Sequence, residues 1–440
     1  MRTLKITQDE GKLTMGDKCW EIVEQDLRLK LGQRQSAPNG NDMLYYFCEQ
    51  SPLHKLPPRD DVGIVGPTPE EAAFADQMWL IGRAYAASPQ RYKYTVEKAD
   101  GSRTSRVKPS EKWIENEGYE SFFSDIARII TSNSADNQNR IPSYLQRRYV
   151  DPNEALLEIA ESNGLAQDES RALTPSDANR LREVLAESQG EIATFPEFQK
   201  QLELLNADNP IEKALRSETG AQEETATAAA EKIAGLVAWF SSILCSARLF
   251  RDVAILLETA RFERNEKHAK SHEPQEADEE KDERAEACRT WIHAMLDGHQ
   301  DSALSFSSKF LHFHYPSLFF IYDGISSGNL RKIHADSGQS SCPLEVFGLE
   351  QCKREISSKR CTKCMKASKD YRKHVIKELK VARMICNRHA EKHPELNGRP
   401  PTRKQIASSS NGAIPHYRSI TRMVDILATN NELVQDPPSE

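Results

Sequence analysis

Apolar positions along this chain recur in two patterns. In most segments they return every three to four residues, the period of a helix with one buried face. Phe74, Met78, Ile81 and Tyr85 do so behind Thr68-Pro69-Glu70-Glu71. That lead-in sets Pro at the first helical position and acids in the first turn, so a helix should start there and end by Pro89. GYESFFSDIARIITS (118–132) reads as a second amphipathic helix. Thr174-Pro175-Ser176-Asp177 is a helix start ahead of ANRLREVLAES, within a run of short helices over 150–230. Tyr371, Val375, Leu379 and Ala382 make one stripe of a basic helix that Gly398, Pro400 and Pro401 must stop. TLKITQDEGKLT suggests a short hairpin around Glu10-Gly11, and ACRTWIHAMLDG a short helix ended by Gly298.

The second pattern is apolar nearly throughout, and it occurs twice. IAGLVAWFSSILCSARLF (233–250) contains an uncharged run, Ile233–Ala247, of 15 residues. That is short of the roughly 20 a spanning helix needs, so the segment is expected to be a central buried helix. SFSSKFLHFHYPSLFFIYD (305–323) is the other. Phe306, Phe310 and Phe313 share a helical face, Ser305 can cap its start, and Pro316 ends it. Tyr315 is pushed toward an extended conformation by that proline. Asp323 is then placed to cap a following helix. Few segments alternate as strands do and none repeats, so the fold class is mostly α. The expected division is 1–67 as an N-terminal segment, 68–150 as the first part of a helical core, 151–232 as a helical insertion, 233–335 as the core with a Lys/Asp pair, and 336–440 as a basic C-terminal helical region.

Composition adds a compartment and an asymmetry. The 440 residues are 38% hydrophobic and 28% charged, with nine cysteines and no apolar run in MRTLKITQDEGK. An odd cysteine count without an export signal fits a reducing, cytoplasmic setting with free thiols or a metal site, and no membrane association. The net charge of −7 is uneven. Residues 331–440 hold 21 basic and 12 acidic side chains, a net of +9, against −16 for the rest. The stretch 353–404 has 17 basic and 5 acidic residues. Such a face tracks phosphate or is a solvated helix neutralised by the acidic part.

The chemistry concentrates in 305–323. A lysine amine in apolar surroundings loses its proton more readily and becomes a nucleophile. A carboxylate beside it can stabilise cationic transition states and take protons. Against this stands the plain reading of Lys309 as a surface lysine and Asp323 as a helix cap.

The order Ser305, Ser308, Lys309, Pro316, Tyr322, Asp323 resembles the core of the helix-hairpin-helix DNA glycosylases, and more narrowly the bacterial proteins of 8-oxoguanine glycosylase fold. WLIGRAYAASPQRY (79–92) is similar to an N-terminal block of those proteins. The resemblance implies a multi-helix glycosylase-like core in which Lys309 is the nucleophile and Asp323 its carboxylate partner. The substrate it implies is a modified nucleobase on nucleic acid, with no cofactor needed for catalysis. Ser305 and Ser308 would contact phosphate, and His312, His314 and Tyr315 would wall the pocket of a flipped base. Arg83, Arg331 and Lys332 would supply cations to the backbone. The resemblance also implies anti-phage defence, with a partner protein from the same operon. Leu304-Ser305-Phe306-Ser307-Ser308 stands where such proteins carry a glycine hairpin that grips phosphate. The alternative is therefore a non-catalytic module that keeps the fold and binds nucleic acid or a protein.

Cys342, Cys352, Cys361 and Cys364 fall close together, and Cys361-Thr362-Lys363-Cys364 has the spacing of half a tetrahedral zinc site. Cys386, His389 and His393 are an alternative supply of ligands. A structural zinc and a set of free thiols both satisfy this pattern.

Overall fold

The protein was analysed as a computed structural model, which describes residues 8–9, 12–13, 40–57, 67–85, 92–93, 96–97, 103–104, 117–132, 175–216, 222–269, 299–300, 303–323, 358–392, 421 and 423–425. These are mostly helical. The helices are α1 (Gly40–Gln50), α2 (Pro69–Ala84), α3 (Glu117–Thr131), α4 (Pro175–Ile192), α5 (Phe195–Ala207), α6 (Pro210–Arg216), α7 (Gln222–Ala269), α8 (Leu304–His314) and α9 (Ser358–Lys392). Extended structure among the described residues is confined to antiparallel pairs of two-residue strands. One of them pairs Gln8–Asp9 with Lys12–Leu13; the Glu10-Gly11 turn expected between them lies outside the described residues.

The chain forms two compact units that interleave in sequence. The first comprises Met1–His54, Lys200–Trp239 and Leu304–Glu440; the second comprises Lys55–Gln199 and Phe240–Ala303.

In the second unit the start of α2 is the one its sequence announces. Thr68 Oγ1 accepts the Glu71 N–H at 3.2 Å, and Glu71 returns the bond by accepting the Thr68 N–H at 3.0 Å, a reciprocal capping box. Glu71 also accepts from the Thr131 hydroxyl at 2.7 Å, so one carboxylate caps α2 and ties it to α3. Phe74, Met78 and Ile81 are buried on α2, and Phe122, Phe123, Ile126 and Ile130 on α3. The two helices pack on each other through these faces. α2 stops at Ala84, a little before Pro89, with Tyr85 as its C-terminal cap.

α7 is longer than the apolar run within it. It starts at Gln222, so the small and polar residues before Ile233 are already helical. From Ile233 to Ala254 every side chain but Ser242 is buried. The segment Glu224–Ala254 is long and apolar enough to cross a bilayer, yet 94% of its most apolar window lies inside the protein. A helix apolar on all faces is one buried on all faces. The buried charges Arg248, Arg251 and Asp252 are paired. In the second unit Arg251 donates to Asp125 of α3 at 2.8 Å and to Asp252 at 3.2 Å, and Arg248 reaches Asp252 at 3.4 Å. Both guanidinium groups lie about 5.5 Å over the Phe122 ring, which is cation–π range.

In the first unit α8 packs against α1, and α6 against α9. The α1–α8 contact includes Tyr45, whose ring sits 4.6 Å from Phe313. Arg383 of α9 donates to the Ala214 carbonyl of α6 at 2.5 Å. The expected stripe of α9 is buried as Tyr371, Val375, Leu379 and Ala382, and the helix ends at Lys392, ahead of Gly398.

A buried lysine on an aromatic helix: the candidate functional site

α8 carries the lysine. It begins at Leu304, so Ser305 lies inside the first turn and is not the cap. Its Oγ instead accepts a hydrogen bond from the Lys309 amine, one turn on, at 3.0 Å. Phe306, Phe310 and Phe313 are buried as their spacing requires, and so is every other residue from Leu304 to Pro316 except the half-buried Ser305. The helix is thus enclosed on all faces, and Lys309 is only 5% exposed. A surface lysine on an amphipathic helix does not describe this residue. Burial pushes its pKa down from the ordinary lysine value, opposed by the negative charges of Asp323 and Asp425. The amine therefore sits in apolar surroundings with two carboxylates in electrostatic reach.

After His314 the chain turns. Tyr315 still donates to the Leu311 carbonyl at 2.8 Å, and its own carbonyl accepts from Leu318 at 2.9 Å and Phe319 at 3.2 Å. The proline thus ends the helix and opens a tight turn over residues 316–318. Residues 319–323 then run as an irregular strap to Asp323. With no strand beside it among the described residues, the strap draws its hydrogen-bond partners from side chains, since buried backbone groups are rarely left unmade. It finds four. His312 Nδ1 donates to the Phe319 carbonyl at 2.7 Å. The Tyr371 hydroxyl donates to the Phe320 carbonyl at 2.6 Å and accepts the Phe320 N–H at 3.2 Å. His374 Nε2 donates to the Ile321 carbonyl at 2.9 Å. Ser308 Oγ accepts the Tyr322 N–H at 3.0 Å. Two of these latches come from α8, on either side of Lys309, and two from the basic helix α9. Asp323 is the residue the strap delivers. The turn before it is held as well: Asn209 caps α6 through its Oδ1 and donates to the Ser317 carbonyl at 3.0 Å, and the Thr421 hydroxyl donates to the Pro316 carbonyl.

The remaining expected residues fall into three groups. His312 and Tyr315 are occupied within the core. Tyr45 donates its hydroxyl to His312 Nε2 at 2.5 Å, which completes both nitrogens of that ring, and the Tyr315 hydroxyl meets His54 Nδ1 at 2.6 Å. Burial raises the Tyr315 pKa above the tyrosine range. His314 is fully enclosed beside the Phe310 ring at 4.5 Å. Burial, helped by nearby His54, lowers its pKa to about 3, and neither ring nitrogen has a hydrogen-bond partner among the described residues. Arg83 lies at the exposed end of α2, over the Trp79 ring at 5.6 Å. Arg331, Lys332, Cys342 and Cys352 lie outside the described residues. Cys361 and Cys364 fall one turn apart in the first turns of α9. Among the described residues no group of three or more His, Cys, Asp and Glu could hold a metal ion.

Three members of this cluster carry no sequence signal that singles them out. Glu378, one turn beyond His374 on α9, is 1% exposed, and its carboxyl lies 3.3 Å from His374 Nε2. Burial first, then Asp425 and Asp323, hold its pKa well above the usual carboxylate range. Burial takes His374 down to about 4, against the opposing pull of its Ile321 hydrogen bond and of Asp323. Asp425 comes from the far C-terminal segment, over a hundred residues from the lysine it influences. The α9 period places His374 and Glu378 beside the apolar stripe, each three positions after one stripe residue and one before the next, but does not single them out. Nothing local marks Asp425. Compared with protein-family models, with curated proteins and with solved structures, the chain matches none.

Proposed function

We propose that the protein is a DNA N-glycosylase/AP lyase-like enzyme that acts on a modified nucleobase through a Schiff base at Lys309. The observation that carries this reading is the Lys309 amine, buried on an aromatic helix, of lowered pKa and under the charge of Asp323. In the reaction the free amine attacks the sugar carbon that bears the base. The carbon–nitrogen bond to the base breaks, its electron pair leaves with the base, and the base takes up a proton. Asp323 stabilises the positive charge that develops on the sugar and accepts the proton the attacking amine loses. Opening of the sugar ring gives the imine, from which elimination can cut the strand. The basic side of α9 supports the reading because a phosphate backbone must be neutralised beside such a site. Anti-phage defence is the context that the sequence resemblance adds.

The test is borohydride trapping on abasic and damaged-base oligonucleotides. Wild type should form a covalent adduct and Lys309→Ala none. A second reading, a non-catalytic module that binds nucleic acid or a protein, is favoured by one observation: Leu304 to Lys309 is continuous helix, so no glycine hairpin directly precedes the lysine to grip phosphate. In that case Lys309→Ala would keep full oligonucleotide affinity and charge reversals along 353–383 would abolish it. For the structural zinc proposed at Cys342, Cys352, Cys361 and Cys364, metal analysis of purified protein should return one equivalent; less than a trace ends that idea.

A further inference from the structure

Ser305 is the nucleophilic side chain that the lysine chemistry above does not use. Between Leu304 and Pro316 it alone is not fully enclosed, and its Oγ lies 3.0 Å from the Lys309 amine. The two residues stand one turn apart on α8, so a single rigid element fixes their contact. A serine hydroxyl both donates and accepts. In the structure the amine donates to it; once the amine is deprotonated, its lone pair can accept the Ser305 hydroxyl hydrogen. Enclosure favours the deprotonated form: Lys309 is only 5% exposed, and Ser308 and Phe310 on either side of it are fully buried. Ser308 cannot take the same part, since its hydroxyl is engaged by the Ser305 carbonyl at 3.1 Å and the Tyr322 N–H at 3.0 Å.

We infer that Ser305 and Lys309 form a serine–lysine dyad that hydrolyses a carboxylic ester, with Ser305 as the nucleophile and Lys309 as its general base. A serine is a weak nucleophile until a base within hydrogen-bond reach activates it, and its half-exposure leaves Oγ open to an acyl group. In the first step Ser305 Oγ bonds to the acyl carbon, its proton passes to Lys309 Nζ, and the carbonyl electron pair moves onto oxygen. The Ser305 N–H lies in the first turn of α8 and so outside the helical hydrogen-bond ladder; it can donate to that oxyanion. The carbon–oxygen bond to the alcohol then breaks, and the alcohol leaves with the proton from Lys309. Water, deprotonated by Lys309, next attacks the acyl-Ser305 ester, the acid departs, and Ser305 Oγ takes the proton back. The charges of Asp323 and Asp425 stabilise the ammonium that Lys309 becomes in each half. The inference shares with the glycosylase reading only a free Lys309 amine.

The experiment treats full-length protein with an alkyl fluorophosphonate and follows phosphonylation of Ser305 by peptide mass spectrometry from pH 6 to pH 10. In wild type Ser305 should be labelled, at a rate that rises with pH through an inflection below the ordinary lysine value of about 10.4. The exposed Ser317 should stay unlabelled. Lys309→Arg keeps a donor for Ser305 Oγ but cannot act as a base, and it should slow the labelling at least a hundredfold, within the usual span of general-base catalysis. Lys309→Met, which keeps the length of the side chain without the amine, should do the same. Circular dichroism identifies any variant that fails to fold, and the wild-type pH profile is decisive without either. No label on Ser305, a rate independent of pH, or equal rates in wild type and folded Lys309→Arg would overturn the inference; the contact would then serve only to satisfy a buried lysine. Borohydride trapping separates the two readings. Ser305 labelled with no DNA trapped keeps the dyad and removes the glycosylase; DNA trapped with Ser305 unlabelled does the reverse.

Discussion

Removing a single oxygen from Tyr371 should loosen the strap that carries Asp323. In Tyr371→Phe the ring and its packing stay, and only the hydroxyl goes. That hydroxyl is the partner of both backbone groups of Phe320, donating to the carbonyl at 2.6 Å and accepting the N–H at 3.2 Å. Tyr371 and Phe320 are both buried, so water cannot readily replace it. A buried polar group left without a partner costs about 1–3 kcal/mol. Two such groups, with some relaxation of the strap, put the expected loss at about 2–4 kcal/mol. For a unit of this size, about 1 kcal/mol corresponds to about 2–4 °C in melting temperature, so a drop of several degrees is expected. The assay is thermal and urea unfolding of wild type, Tyr371→Phe and the control Tyr46→Phe, whose ring is exposed on α1. The control should be neutral. Borohydride trapping by Tyr371→Phe should fall at least tenfold, since misplacing a reacting group by about 1 Å costs on the order of a hundredfold. A Tyr371→Phe protein within about 0.5 kcal/mol of wild type, as for an ordinary surface change, would refute the idea that side-chain latches hold the strap.

Further expectations follow from the rest of the structure. His314 and His374 are held neutral by burial, at about 3 and about 4. Below the ordinary histidine value of about 6.5 the unfolded chain takes up protons that the folded chain refuses, so stability is full above that pH and falls as the solution is acidified toward pH 4. The slope should approach 1.4 kcal/mol per pH unit for each histidine, and His374→Gln should make urea-midpoint curves measurably shallower. Arg251→Met should cost about 3–5 kcal/mol by taking the guanidinium away from the buried Asp125 carboxylate, and the added Asp125→Leu should recover most of that loss in the same unfolding assay. Thr68→Ala should cost about 1 kcal/mol through the lost capping box of α2, read as a small shift in urea midpoint.

What the sequence made legible was local. The Thr68-Pro69-Glu70-Glu71 start, the α3 face, the buried run of α7 and the α9 stripe all follow from spacing and end signals, and the structure has them. The upstream extent of α7 was hidden because Gln222 to Lys232 is polar and small, and its helix is continued by the packed residues after it. The caps were read less well. Ser305 has the chemistry of a cap, but α8 already begins at Leu304, and that hydroxyl accepts from Lys309 instead. Lys309 itself has the sequence of a surface lysine or of a buried one, and only the enclosure of α8 on all sides decides between them. The partners that complete the cluster arrive from afar. Tyr371, His374 and Glu378 come from a helix that composition marks as basic, and Asp425 from a segment with no motif. Long-range burial sets the protonation of Tyr371, His374 and Glu378, and no spacing rule carries that information.

The account turns on whether the Lys309 amine is a nucleophile. The most direct measurement is borohydride reduction of the full-length protein with an oligonucleotide that holds one abasic site, read by gel shift and by peptide mass spectrometry. A covalent adduct mapped to Lys309, lost in Lys309→Ala and at least tenfold slower in Asp323→Asn, is the result the account predicts. No adduct on abasic or damaged-base DNA, or an adduct mapped to another lysine and undiminished in Lys309→Ala, would contradict it.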